Sequence, residues 1–148
     1  MAGAGVVTAV DARLTTGGRD TELDTALSDG LDAFNVRATG DADQRELTVR
    51  VDDGTGSVLA GLSGWTWGTC CGISMVWVRE DQRNSGWGAR LLAAAEAEAR
   101  ARGCVQVVVS SFTFQAPGFY ERHGYTETGR TEGIPRAGSA DVHLRKDL

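Results

Sequence analysis

The sequence predicts an α+β fold, in which helices on both faces cover a twisted, mixed but mostly antiparallel sheet of about six to seven strands. Three strand-like runs follow one another between residues 46 and 78 with no helical pattern between them. An alanine-rich helical pattern and a dense β-branched run come next. A chain of 148 residues has the size of one domain, so we expect residues 1–148 to share one core.

The first elements are a short strand and a helix. Val6 to Val10 is an apolar segment that suits a strand, and Thr21 to Phe34 has the three-to-four spacing of an amphipathic helix. The apolar face of this helix comprises Leu23, Leu27, Leu31 and Phe34. Gly30 weakens the helix near its end. We expect a loop over residues 35–43, with a short second helix near Asn35 to Ala42 as the alternative.

Three consecutive strands are expected in the middle of the chain. Glu46 to Val51 alternates apolar and polar residues, as a half-buried strand does. An Asp-Gly pair then signals a tight hairpin turn. The second hairpin strand is Ser57 to Trp67, and a Gly-Thr turn leads into the strand Cys70 to Val78.

Helices and strands alternate in the remaining part. Gly88 to Arg102 has a continuous apolar face and acid-before-base pairs four residues apart, which predicts a long helix. Val105 to Ser110 is a β-branched run typical of a strand buried on both faces. We expect Thr131 to Ser139 to be irregular. The remaining elements are one short helix and two strands: Gln115 to His123, Tyr125 to Thr128 and Asp141 to Leu148.

Composition argues against several classes of partner. The formal net charge is −5 and no basic run is present, so we expect no nucleic acid partner. No stretch is long and apolar enough to predict a membrane span, and Met1 to Gly5 lacks the features of a signal peptide. The three cysteines have neither the spacing of a zinc site nor the even number of a disulfide framework. We therefore expect reduced thiols, a cytoplasmic location and no metal.

The most informative stretch is Arg83 to Gly88, which reads Arg-Asn-Ser-Gly-Trp-Gly and connects a strand to the long helix. Gly86 and Gly88 let the backbone turn tightly and let a ligand approach its N–H groups. The first N–H groups of a helix have no internal partner and lie at the positive end of its dipole. The loop therefore predicts an anion site, most often for phosphate. Taken alone, it also suits a plain turn into a helix.

This loop resembles the Arg/Gln-x-x-Gly-x-Gly/Ala loop of the GNAT superfamily of acetyl-coenzyme A-dependent N-acetyltransferases. A second stretch, Ala116 to Tyr125, is similar to that family's Ala-x-x-Phe/Leu-Tyr-Glu-x-x-Gly-Phe/Tyr pattern. The two motifs occur in the family's order, with a helix and a strand between them. The resemblance extends from Ser57 to the C-terminus. It implies a GNAT fold whose central strands splay apart, with acetyl-CoA as cosubstrate in the gap.

The resemblance also implies which residues hold acetyl-CoA. The strand residues that would pair with the pantetheine are Val76, Trp77 and Val78. The loop residues that would contact the pyrophosphate are Arg83, Asn84, Ser85, Gly86, Trp87, Gly88 and Ala89. Many family members carry an asparagine three residues before the motif alanine, where this chain has Thr113. A hydroxyl replaces only one of the amide's hydrogen bonds, so Ser110 or Ser111 could take over the other.

The resemblance assigns the general acid to Tyr120, whose hydroxyl would protonate the leaving coenzyme thiolate. A tyrosine that only packs and bonds locally is the alternative. No motif marks the general base, because the central strand contains no acid. His143, two residues after Asp141, lies where family members bind acceptors, although it could be an ordinary exposed strand residue. Glu127, Glu132 or a chain of water molecules are the other options.

Trp65 and Trp67 share one strand face and could wall an acceptor pocket beside Ser74, although core packing is the alternative. We expect an enzyme that moves an acetyl group directly from acetyl-CoA to a primary amine of a small molecule, such as an antibiotic or a metabolite. A homodimer is compatible with the resemblance. The alternatives are an acetyltransferase for protein lysines or N-termini, and a non-catalytic acyl-CoA-binding module.

Overall fold

The computed structural model describes residues 12–148. The chain divides into two compact units, Met1–Gly40 and Asp41–Leu148. The strand expected at Val6 to Val10 lies outside the described residues, and a single domain over residues 1–148 stays a prediction.

The described part of the first unit contains one long helix, α1, which spans Thr21–Thr39. Asp20 caps its N-terminus, because the Asp20 Oδ1 accepts a hydrogen bond from the Leu23 N–H at 2.9 Å. The prediction of its start is confirmed, but the predicted loop and second helix after Phe34 are wrong, because residues 35–39 continue α1. Gly30 costs the helix about 1 kcal/mol. The helix continues past Phe34 because residues 35–39 contain no proline that would interrupt it. Arg37 lies in its last turn, where a cation is favourable.

The second unit is built on a six-stranded sheet with the order β1-β2-β3-β4-β6-β5. Its strands are β1 (Arg45–Asp52), β2 (Val58–Trp67), β3 (Cys70–Val78), β4 (Gln106–Phe112), β5 (Thr126–Glu132) and β6 (Ala140–Asp147). All neighbouring strands pair antiparallel except β3 and β4, which pair parallel. The predicted α+β class with a mixed, mostly antiparallel sheet is confirmed.

Two helices pack on this sheet. A short 3₁₀ turn, Glu80–Gln82, precedes α2 (Trp87–Ala101), and α3 (Pro117–Arg122) follows β4. The buried apolar face of α2 shares one core with β1–β4 and β6, and α3 adds Tyr120 to it. The side chains of this core that are fully buried include Leu47, Leu91, Leu92, Val107 and Leu144. None of the helices within residues 12–148 is long and apolar enough to cross a membrane.

Strand β5 differs from its prediction. It extends to Glu132, four residues beyond the predicted end at Thr128, so the irregular connection to β6 is shorter than expected. All residues of β5 are exposed, which removes the apolar alternation that marks a half-buried strand. Its pairing with β6 passes through a bulge at Thr128, next to Gly129. Glycine is unfavourable inside a strand, so in the sequence Gly129 looks like the end of the strand.

The sheet opens between β3 and β4. These strands pair only from Cys70 and Gln106 to Ile73 and Val109. Beyond these pairs, β3 continues along β2 and β4 continues along β6, so the two strands diverge. Ser74 forms a bulge at the point of divergence, since its neighbours pair with β2 and it does not. The splayed central strands that the family resemblance implied are therefore present.

Candidate functional site

The gap between β3 and β4 forms a cavity of about 750 Å³, which lies in the range of roughly 300–1,000 Å³ common for small-molecule and cofactor sites. One wall is residues 73–78 of β3, and the opposite wall is residues 109–111 of β4. The loop before α2 contributes Arg83 and Asn84, and α3 contributes Phe119 and Tyr120. Both sequence motifs therefore reach one cavity.

The β3 wall offers an unpaired strand edge. Val76, Trp77 and Val78 pair with β2 on one side, whereas within residues 12–148 no strand pairs with them on the side of β4. Backbone N–H and C=O groups on that edge require partners. An extended ligand that carries amide groups can supply those partners by acting as an added strand.

The loop between β3 and α2 has the backbone of an anion site. Asn84 (φ 60°) and Gly86 (φ 83°) are both left-handed, a conformation that turns successive N–H groups toward one side. Gly86 immediately precedes α2 and has no side chain to cap it, and the first turn of α2 contains no acidic residue. The first N–H groups of α2 therefore lack partners in the helix. A Cβ built on Gly86 would meet no atom within 4 Å, so space for a ligand is open.

Side chains hold this loop in place. Arg83 donates from Nε to the Val78 carbonyl at 3.2 Å, which ties the loop back to the end of β3. The Ser85 hydroxyl donates to the Gln82 carbonyl within the loop. The Arg83 N–H is not available, because it donates to the Glu80 carbonyl at 3.3 Å. Neither side-chain bond engages the backbone N–H groups of residues 84–86, so the predicted role of a backbone cradle is compatible with the geometry from Asn84 onward.

The start of α2 is also packed tightly. Trp87 packs half-buried against the core, and the Arg90 guanidinium lies 4.1 Å from the centre of its ring. A Cβ on Gly88 would come within 3.2 Å of the Phe119 ring on α3, which is closer than most side chains tolerate. Gly88 therefore permits close contact between α2 and α3, and Ala89 is partly buried beside it.

Tyr120 reaches the cavity from α3. Its residue is only 7% exposed, and its ring packs edge-on against Phe119 and Tyr125, at centroid distances of 5.2 and 5.6 Å. Among residues 12–148, no group forms a hydrogen bond with its hydroxyl. Burial raises the pKa of Tyr120 above its ordinary value of 10.0. The phenol is therefore protonated at neutral pH and able to donate.

The end of β4 places the predicted polar residues differently. Thr113 is not in the cavity wall, and its Oγ1 accepts a hydrogen bond from the Ala140 N–H at 3.1 Å. Ser110 is exposed in the cavity, whereas Ser111 is buried and its Oγ accepts from the Ala116 N–H at 3.2 Å. Of these three residues, Ser110 is the one with an open hydroxyl at the site.

The sequence analysis missed Gln115 and Phe114. Gln115 lines the cavity, and its Oε1 accepts from the Phe112 N–H at 2.9 Å, so its side-chain NH₂ remains available to a ligand. Phe114 also lines the cavity, is 62% exposed and stacks on Phe112 at 5.2 Å. No sequence signal marks either residue, because neither belongs to the two motifs that resemble the family's.

His143 lies one strand away from the cavity. It pairs across the sheet with Ser110, which lines the cavity, and its Nε2 is 3.3 Å from the Thr131 Oγ1. Asp141 precedes it on the same face of β6 and has a buried Oδ1 with no hydrogen-bond partner in the described chain. The structure therefore places His143 beside the cavity wall and not in it.

The other candidate bases are poorly suited to accept a proton. Arg130 binds the Glu127 carboxylate at 2.6 Å, and this hydrogen bond lowers the pKa of Glu127. Glu132 is exposed, with its Oε1 3.9 Å from the same guanidinium. Burial raises the pKa of Cys71 to about 11, so its thiol is protonated at neutral pH. Neither carboxylate and neither cysteine of β3 lines the cavity.

The predicted acceptor residues separate into two groups. Ser74 is exposed at the bulge and lines the cavity. Trp65 and Trp67 are half-buried and do not line it. The Trp65 ring covers Gly72, where an added Cβ would come within 2.2 Å of the ring. Within residues 12–148, no group of three or more His, Cys, Asp or Glu side chains is placed to hold a metal ion.

Known proteins are similar to this chain in sequence and in architecture. The chain matches the acetyltransferase (GNAT) family over residues 18–125. It is 36% identical over 110 residues to an acetyltransferase of Agrobacterium fabrum, and this match covers 74% of the present chain and 80% of the relative. Blasticidin-S acetyltransferase of Streptomyces morookaense is 43% identical over 74 residues, which are 47% of this chain and 52% of that protein. A crystal structure from Agrobacterium tumefaciens, assigned as an acetyltransferase, has a TM-score of 0.86 at 31% identity and covers 93% of this chain and 99% of its own.

Proposed function

This chain belongs to the acetyltransferase (GNAT) family, and on that premise we propose that it moves an acetyl group from acetyl-CoA to a primary amine of a small molecule. The observation that carries the proposal is the meeting of three features at one cavity. These are the edge of β3 and the Tyr120 hydroxyl, neither of which has a partner there within residues 12–148, and the uncapped start of α2.

In the proposed complex, acetyl-CoA extends along the gap. The pantetheine amides pair with Val76–Val78 backbone groups, and the pyrophosphate receives hydrogen bonds from the N–H groups of residues 84–89. The side-chain NH₂ of Gln115 and the hydroxyl of Ser110 are available for the pantetheine carbonyls. These two residues take the role that the family pattern gives to an asparagine at position 113.

The transfer is proposed to be direct. The neutral amine attacks the thioester carbonyl, a C–N bond forms, the C–S bond breaks, and Tyr120 donates its proton to the departing thiolate. A covalent route through cysteine is disfavoured, because burial raises the pKa of Cys71 to about 11 and keeps the thiol protonated. The three free cysteines support a reducing, cytoplasmic setting.

The amine must lose a proton before or during attack. His143 is our candidate acceptor of that proton, with Ser110 between it and the cavity in the β4–β6 pairing. A short relay of water is the alternative, since His143 is not itself in the cavity wall.

An antibiotic or a similar cationic metabolite is the acceptor class we propose. One relative is named as a blasticidin-S acetyltransferase, and the net charge of −5 favours a cationic acceptor. The exposed Phe114, stacked on Phe112 at the cavity, offers a planar surface to such a molecule.

Two measurements test the proposal. Calorimetry should show one acetyl-CoA bound per chain, and no heat or thermal shift at millimolar cofactor would refute the cofactor site. A panel of amines, antibiotics and lysine peptides, scored by release of free coenzyme thiol, should then give turnover with small amines. Turnover confined to peptides would instead indicate a protein acceptor, and tight binding without turnover on any amine would indicate a binding module.

A further inference from the structure

A largely buried polar cluster, formed by Glu96, Tyr125 and Lys146, joins α2, β6 and the connection between α3 and β5 outside the cavity. Glu96 lies on α2 and is 6% exposed. The Tyr125 hydroxyl donates to its Oε1 at 3.0 Å, and the Lys146 Nζ on β6 donates to both carboxylate oxygens at 3.1 and 2.9 Å. All three members lie outside the cavity wall, so the proposed transfer does not use them directly.

Stability alone is a weak reason for such a cluster. Removing two charges from water costs about as much as their attraction returns, and apolar residues of similar size often stabilise a core as well or better. A fully paired buried network does, however, fix one arrangement of the elements that it joins. This cluster is therefore expected to fix the position of Tyr125 relative to α2 and β6.

The cluster contacts Tyr120 through Tyr125. The two rings meet edge-on, with centroids 5.6 Å apart and planes at 74°, and the Tyr125 N–H donates to the Tyr120 carbonyl at 3.1 Å. No described group forms a hydrogen bond with the Tyr120 hydroxyl, so packing alone directs the phenol. Tyr125 is the packing neighbour that is itself anchored, through Glu96, to α2.

We propose that Glu96, Tyr125 and Lys146 are positioning residues that hold the Tyr120 phenol toward the coenzyme sulfur. The helix that carries Glu96 begins at the phosphate loop, and the helix that carries Tyr120 ends at Arg122, shortly before Tyr125. The cluster therefore fixes the distance between the proton donor and the loop that holds the coenzyme. This inference rests on the proposed function.

The test uses the fact that the chain contains only two tyrosines. A stable-isotope label on the tyrosine Cζ carbon gives two NMR signals, and the one missing from Tyr120→Phe belongs to Tyr120. Coenzyme A should shift that signal in the wild type, because its sulfur lies at the phenol. Calorimetry on the same samples reports coenzyme binding independently.

The decisive variant is Glu96→Leu/Tyr125→Phe/Lys146→Met, which replaces the whole cluster by apolar residues. We expect it to fold, to melt at or above the wild-type temperature and to bind coenzyme A within about twofold of wild type. The coenzyme-induced shift of Tyr120 should nevertheless be lost. The matched control is Glu98→Gln, which breaks an exposed pair with Arg102 on the same helix and should retain the shift.

If coenzyme A shifts the Tyr120 signal of the triple variant as much as that of the wild type, the inference is overturned and the proposed function stays intact. If the triple variant does not fold, Tyr125→Phe alone replaces it, because this change keeps the Glu96–Lys146 pair. A reduced shift in Tyr125→Phe supports the positioning role, and an unchanged shift overturns it. Absence of coenzyme binding in the wild type would overturn the proposed function, and this inference with it.

Discussion

Gly86→Glu tests whether the loop before α2 is the phosphate site. Gly86 has a φ of 83°, and a Cβ added there meets no atom within 4 Å. The substitution therefore costs the left-handed penalty of about 1–2 kcal/mol without a steric clash. A glutamate at the start of a helix regains about 0.3–1 kcal/mol from the dipole. We expect the free energy of unfolding to fall by about 0–2 kcal/mol, which leaves the protein folded.

The expected effect on binding is much larger. The new carboxylate occupies the open space before the loop and repels the pyrophosphate. Hydrogen bonds to a charged group contribute about 1.5–3 kcal/mol each, so losing two of them costs about 3–6 kcal/mol. That loss corresponds to roughly 10²–10⁴-fold in the Kd for acetyl-CoA.

Gly103→Glu is the matched control. Gly103 follows the other end of α2, has a φ of 87° and is equally open, and the 15 residues of the helix separate the two sites by about 22 Å. The control adds the same charge and the same strain, but at the helix end where the dipole disfavours an anion. It should thus be the less stable variant and still bind normally. Calorimetry with acetyl-CoA and thermal unfolding measure both effects, and equal affinity of the two variants would refute the phosphate loop.

Three further predictions concern the chemistry and the sheet. Tyr120→Phe should lower turnover about 10²–10⁴-fold with little change in the acetyl-CoA Kd. Because burial raises the pKa of Tyr120, deprotonation of this phenol should not lower the wild-type rate at any pH below ~10. Unchanged turnover, with chemistry rate-limiting, would mean that the thiolate leaves unprotonated. His143→Gln should lower turnover if His143 is the base, and unchanged turnover, with chemistry rate-limiting, would place the base elsewhere. Gly64→Ala brings a Cβ within 2.1 Å of the Gly72 carbonyl oxygen and should destabilise by about 1–3 kcal/mol. Gly61→Ala, with its nearest atom at 3.5 Å, should change stability by less than ~0.5 kcal/mol in a denaturant titration.

The strands of the second unit were predictable where packing leaves a pattern in the sequence. β1 alternates because only Leu47, Val49 and Val51 face the core, and β3 was predicted with its observed bounds. β5 has no buried side chain and therefore no pattern to read. The end of α1 was mispredicted because the free-energy penalty of Gly30 is small beside the stabilisation of a capped helix of 19 residues.

The site was predictable to the extent that backbone geometry governs it. A glycine loop before a helix has a visible sequence signature, and the structure brings that loop and Tyr120 to one cavity. The side chains at the end of β4 have no such signature. Thr113 bonds to Ala140, which is distant in the sequence, whereas Gln115 bonds to Phe112 in the turn after β4. The sequence pattern does not reveal which of these two residues faces the cavity.

The ion pair of Lys146 bears on whether the protein can itself be acetylated. Lys146 is the only lysine among 148 residues, and its Nζ binds both oxygens of the buried Glu96. An ε-amine reacts with an acetyl donor only when that donor can reach it, and this one is bonded to a buried carboxylate. If the protein uses acetyl-CoA as proposed, it therefore presents no readily modified lysine of its own to that reactive thioester, which should keep acetylation assays free of background from lysines of the enzyme.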